Sequence, residues 1–81
     1  MDEQQIREAI FAVLKGIAPE LDPGDIEPDR PLRDQVDLDS MDFLNFILGL
    51  HKKLGVQIPE ADYRKLFTLD DLLGYLKAKL P

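Results

Sequence analysis

Three observations predict an all-α fold, a small bundle of three main helices plus one short helix. Apolar residues recur at helical spacing in three stretches, each preceded by a capping pattern. No stretch reads as a strand. A long, proline-rich connection separates the first helical stretch from the second. At 81 residues the chain is read as a single domain, 1–81, near the lower size limit for folding alone.

The first helix is placed at about 3–15. Asp2 caps it, Gln5 is the reciprocal partner, and Met1 and Ile6 are spaced as a flanking apolar staple. Ile6, Ala9, Ile10, Val13 and Ile17 form its stripe. Gly16 reads as a left-handed stop with Pro19 beyond it. Residues 16–39 form the long loop, broken by Pro19, Pro23-Gly24, Pro28 and Pro31. In it, Ile26, Leu32, Val36 and Leu38 are spaced as anchors onto the helices. A short helical turn over 30–35 is expected, capped by Asp29 with Pro31 in its first turn.

The second main helix is placed at about 40–54. Asp39 is its cap, Asp42 its third position, Leu38 and Phe43 its staple, and Gly55 its stop before Pro59. A short helix is expected at about 60–66. The last helix, about 69–80, begins after Thr68. Asp71 repeats the capping spacing there, and Phe67 with Leu72 repeats the staple. Leu69, Leu72, Leu73, Leu76 and Leu80 form its stripe, and Lys77 and Lys79 suit its C-terminal dipole.

At about 100° per residue, Phe43, Phe46, Ile47, Leu50 and Leu54 share one arc of the second helix and form its core face. Asp42, Asn45, Gly49, Lys52 and Lys53 lie opposite. Met41, Leu44 and Leu48 fall on the flank with His51, as a partly exposed apolar strip descending from Ser40. Such a strip is a docking surface for a partner.

Composition narrows the function classes. The net charge is -6, with 11 acids and 4 bases in residues 1–40 against 5 and 6 in residues 41–81. An acidic chain is a poor match to nucleic acid, whose phosphates call for clustered Lys and Arg. The absence of cysteine excludes disulfides, thiolate metal sites and a cysteine nucleophile. No apolar run approaches the ~20 residues that span a bilayer, and the acidic N-terminus is unlike a signal peptide. A cytoplasmic monomer is the expectation.

Catalytic chemistry finds no support. Ser40 and His51 lie eleven residues apart on one helix, about 16 Å at 1.5 Å per residue, too far for a nucleophile and its base. The loop acids Asp22, Asp25, Glu27, Asp29, Asp34, Asp37 and Asp39 do not match a calcium loop, so no dedicated metal site is expected. No catalytic residue is assigned.

What remains is Ser40, the only serine in the chain, at the start of a helix and flanked by acids. Asp39-Ser40-Met41-Asp42 resembles the Asp-Ser-Leu/Met motif of acyl carrier proteins. The resemblance covers the whole chain, including Leu54-Gly55-Val56-Gln57-Ile58-Pro59 and Phe67-Thr68-Leu69-Asp70-Asp71-Leu72 in the family's order and spacing. It implies an acyl-carrier-like bundle with 4′-phosphopantetheine attached covalently to Ser40. A phosphopantetheinyl transferase would supply the arm from coenzyme A, and acyl intermediates would ride on it as thioesters. It further implies partner docking through Asp39, Met41, Asp42, Leu44, Asn45 and Leu48. The other partners implied are an acyl- or aminoacyl-activating ligase and acyl-transfer or condensing enzymes.

Two departures from the family pattern shape the expectation. Asp37 stands where the family usually has glycine, and after Asp42 the second helix carries no further acid before Leu54. This implies a specialised freestanding carrier rather than the bulk fatty-acid carrier. Leu38-Asp39-Ser40-Met41 also resembles D-alanyl carrier proteins, which leaves an aminoacyl cargo open. An unmodified helical adaptor acting through Met41, Leu44 and Leu48 is the alternative from another class.

Overall fold

The computed structural model describes residues 1–80. Pro81, the last residue of the domain read from the sequence, lies outside the described residues. Four α-helices follow in order: α1 (Glu3–Ile17), α2 (Leu32–Gln35), α3 (Ser40–Leu54) and α4 (Leu69–Lys79). Two 3-10 segments, Pro23–Asp25 and Glu60–Lys65, stand in the connections. No described helix is long and apolar enough to cross a membrane.

The core is built largely from the predicted stripes. Ile6, Ile10 and Leu14 of α1 meet Phe46, Ile47 and Leu50 of α3 and Leu69, Leu72, Leu73 and Leu76 of α4, all buried. Leu14 lies outside the predicted α1 stripe, and Val13 and Ile17, which belong to it, are only half-buried, because the buried arc of α1 is turned toward Leu14 by packing against two helices. No polar or charged residue is buried among the described residues. Each fully buried Leu or Ile contributes roughly 1.5–3 kcal/mol relative to exposure. All three long helices open with a reciprocal capping box: Asp2 with Gln5, Asp39 with Asp42, and Thr68 with Asp71. At Gly55 the backbone turns left-handed (φ 69°), and its N–H donates to His51 O at 2.8 Å, closing α3.

Several boundaries differ from expectation. Gly16 does not stop α1, which runs on to Ile17, and Gly55 is the only described glycine with positive φ. The stop comes from Pro19, which biases Ala18 away from helical backbone (φ -125°, ψ 83°). Asp29 does not cap α2. Pro31 occupies the cap position with no side-chain cap. Instead the Leu32 N–H donates to Phe67 O at 2.7 Å, so the start of α2 is tied to the approach to α4. Phe67 does not close over α4 as a staple, being 52% exposed.

The long loop is held at three levels. Leu32, Val36 and Leu38 are buried and Ile26 is half-buried against the core. The Gln35 side chain clasps the turn before it. Its Nε2 donates to Glu27 O and Arg30 O, each at 2.9 Å, and its Oε1 accepts from the Glu27 N–H at 2.6 Å. The Asp70 N–H donates to Pro28 O at 3.1 Å, joining the loop to α4.

Gly49 is not on a solvent face. It is half-buried, and a Cβ there would stand 2.5 Å from Val13 Cγ1 of α1. Glycine costs about 1 kcal/mol in a helix relative to alanine, and here it leaves room for Val13 of α1 to pack directly against the α3 backbone. Gly49→Ala should lower the free energy of unfolding by about 1 kcal/mol, because overpacking costs ~1–3 kcal/mol and exceeds the propensity gain. Val13 has little rotamer freedom to yield in a helix. In a Val13→Ala background the sign should reverse. Gly74→Ala, with nothing within 4 Å of its Cβ, should stabilise in either background. Denaturant titration of the series measures all of these.

The 3-10 helix Glu60–Lys65 is held to α4 by one polar contact. The Tyr75 hydroxyl donates to Asp62 Oδ2 at 2.5 Å, and Lys65 Nζ lies 3.5 Å from Asp62 Oδ1. The Tyr75 hydrogen bond first, and Lys65 after it, hold the Asp62 carboxyl below the usual carboxylate range against the opposing effect of burial. Burial first, and Asp62 second, push the Tyr75 phenol up to about 12. The contact therefore contributes its full stability above the ordinary carboxylate pKa of about 4 and loses it as pH falls through the depressed folded value. At the alkaline end it is lost as pH rises from about 10, the ordinary tyrosine value, toward the folded value of about 12. Tyr75→Phe should lower the unfolding midpoint by a margin that is flat near neutrality and shrinks in acid as pH falls from about 4 through the folded Asp62 pKa. It should also return the Asp62 carboxyl toward the ordinary range in an NMR titration.

Candidate functional site

The site is the junction where the loop enters α3. Leu38 is buried and fixes the chain one residue before the cap. Asp39 Oδ1 accepts from the Asp42 N–H at 2.8 Å, and Asp42 Oδ2 accepts from the Asp39 N–H at 3.3 Å. Ser40 is the first residue of the helix, exposed, and its hydroxyl has no protein partner among the described residues. The N–H groups of Ser40 and Met41 lie ahead of the helical ladder, where the positive end of the dipole favours a negatively charged substituent.

Below Ser40 the apolar strip is open: Met41 is 66%, Leu44 41% and Leu48 54% exposed. Asn45 is exposed beside it, and Asp42 is half-buried. Of the expected core face, Phe46, Ile47 and Leu50 are buried, whereas Phe43 and Leu54 are half-buried at its edges. His51 is exposed, and its Nδ1 donates to Val56 O at 2.9 Å, a ring proton used in closing the helix end. No group of three or more potential metal ligands occurs among the described residues.

Sequence reasoning missed a groove of about 340 Å³ beside Ser40, which the strip borders through Leu44. Phe43 and Leu44 of α3, Tyr63 of the 3-10 helix and Phe67 supply its apolar lining. Phe43 and Tyr63 meet edge to face with centroids 6.0 Å apart. Arg33 and Arg64 line the same groove. These residues come from three separate segments and share no periodicity. The one usable signal was Phe67, a large apolar residue outside every helical stripe.

Residues 4–76 match the family model described as the phosphopantetheine attachment site. The chain belongs to this acyl carrier family. An acyl carrier protein of Thermotoga maritima is 30% identical over 77 residues, which cover 91% of this chain and 95% of that protein. One of Thermosynechococcus vestitus is 29% identical over 82 residues, covering 99% and 98%. A third, of Myxococcus xanthus, is 29% identical over 73 residues, covering 86% and 92%. Members of the acyl carrier family are carriers rather than enzymes, and their covalent cofactor is 4′-phosphopantetheine.

Proposed function

We propose that residues 1–81 act as one carrier domain, a cytoplasmic monomer that bears 4′-phosphopantetheine on Ser40 and transports acyl groups. The observation that carries this is the Ser40 side chain. It is the only serine hydroxyl in the chain, exposed, without a protein partner among the described residues, and seated on the first turn of a doubly capped helix. Those features fit a phosphodiester: the oxygen is accessible, and the helix start favours the added charge. In loading, Ser40 Oγ forms a bond to the phosphorus of coenzyme A that bears the pantetheine. Adenosine 3′,5′-bisphosphate leaves, and the serine proton passes to a base of the transferase. The arm supplies the thiol that this cysteine-free chain lacks, so that cargo is held as a thioester.

The protein's own residues present and orient the arm. Asp39 and Asp42 fix the helix start, Leu38 anchors the approach, and Met41, Leu44 and Leu48 offer an exposed apolar surface to arriving enzymes, with Asn45 beside them. A specialised pathway is favoured over bulk fatty-acid synthesis by the charge along α3. After Asp42 its exposed polar positions carry Asn45, His51, Lys52 and Lys53, so a basic docking patch would find little to hold beyond Asp39 and Asp42.

Incubation with coenzyme A, magnesium and a broad-specificity phosphopantetheinyl transferase should add one phosphopantetheine in an intact-mass measurement. Ser40→Ala should gain nothing. A gain that survives Ser40→Ala, or no gain in the unaltered chain, would overturn the assignment, and the latter favours an unmodified adaptor. A condensing enzyme of bulk fatty-acid synthesis should elongate the acyl-loaded chain at least ten-fold more slowly than its own carrier. Comparable kcat/KM values would contradict a specialised role.

A further inference from the structure

We infer that Arg33 and Arg64 form an anion clamp beside Ser40. It holds the phosphodiester of the phosphopantetheine arm and lays the arm along the groove of Phe43, Tyr63 and Phe67. The inference rests on the attachment at Ser40 proposed above. It concerns where the arm goes once attached.

The two guanidinium groups differ in how they are held, and both are available. Arg33 Nε donates to Leu38 O at 3.3 Å, and its guanidinium carbon lies 5.9 Å from the centroid of the Phe43 ring. The planar group is thus oriented by the carbonyl two residues before Ser40 and by a ring one helical turn after it. Its terminal amino groups have no partner among the described residues. Arg64, on the 3-10 helix, is exposed and makes no hydrogen bond or ion pair among them. Glu60 is the one carboxylate lining the groove, and it is ion-paired to neither arginine.

Charge selects the side on which an anion would settle. The chain is acidic overall, and Asp37, Asp39 and Asp42 surround the approach to Ser40, yet none of them lines this groove. A phosphodiester on Ser40 is repelled from the aspartates and attracted to the arginines that share its groove, an attraction that added salt screens. An arginine fork can bind two oxygens of one phosphate together, which a lysine ammonium cannot match. Beyond the phosphate, the geminal methyl groups of the arm meet the aromatic lining instead of water. The 3-10 helix that carries Tyr63 and Arg64 is held in place by the Asp62–Tyr75 contact, so the clamp faces Ser40 from a fixed wall.

The test compares two-dimensional amide NMR spectra of the labelled chain before and after loading from coenzyme A, with intact mass recorded on the same samples. Loading should shift amides of residues 60–67 as well as those next to Ser40, and added salt should diminish the 60–67 shifts. The Arg33→Gln/Arg64→Gln variant should gain the same mass, keep the shifts near Ser40 and lose those at 60–67. Arg64→Gln alone breaks no internal contact and should lose at least half of their magnitude. Shifts confined to Ser40 and its neighbours in the loaded chain, or 60–67 shifts that persist in the variants, would overturn the clamp while leaving attachment intact. An absence of mass gain would overturn the attachment, and the clamp with it.

Discussion

The structure depends on how the connection between α1 and α3 is tied down. Its irregular backbone has few internal hydrogen bonds to offset the roughly 1–2 kcal/mol per residue lost on ordering. The compensation comes from outside regular structure. Leu32, Val36 and Leu38 enter the core, Gln35 satisfies two carbonyls and one N–H of the preceding turn, and two backbone hydrogen bonds join the loop to the approach and first turn of α4. Leu38 is the last of these anchors, and the α3 cap follows it directly. The position of Ser40 is therefore set by burial two residues upstream and by the Asp39–Asp42 box around it. The serine itself contributes no described side-chain contact to the fold, so it can carry a substituent without disturbing a packed interface.

Much of this was legible in the sequence because it rests on local rules. Three capping boxes, the left-handed stop at Gly55 and most of the buried stripes, Leu14 of α1 excepted, follow from spacing and from the chemistry of one or two residues. The exposed strip of Met41, Leu44 and Leu48 followed from counting angles along one helix. The errors share a different origin. Gly16 looked like a stop, but no local feature compels a glycine to leave a helix, and the proline three residues on decides where α1 ends. Asp29 looked like a cap because the sequence cannot show that the Leu32 N–H has a better partner in Phe67 O. Gly49 looked solvent-facing because its neighbour Val13 belongs to another helix. The groove beside Ser40 was invisible for the same reason, being assembled from segments that meet only after folding.

The charge distribution gives the site its direction. Acids accumulate in the loop, and along α3 the last of them is Asp42. Beyond them α3 carries Lys52 and Lys53 in its last turn, where positive charge is stabilised by the carbonyl end of the helix dipole. A partner approaching α3 thus meets carboxylates at the serine end, apolar side chains in the middle and cations at the far end. That polarity permits one orientation along the helix more readily than its reverse, since the reverse sets like charges against each other at both ends.

The close approach at Gly49 completes this division of the α3 surface. By giving up about 1 kcal/mol of helix propensity there, the chain lets α1 pack tightly on one flank of α3. The core arc of Phe46, Ile47 and Leu50 faces inward, and Phe43 borders the groove. What is left of the circumference is the strip that begins at Met41. Were α3 packed against α1 through a larger residue at position 49, the helices would stand further apart and the Phe46 layer would lose contacts, at a cost that rises with the void created. A residue with no side chain thus keeps the helix that presents Ser40 seated firmly enough for its opposite flank to remain uncovered.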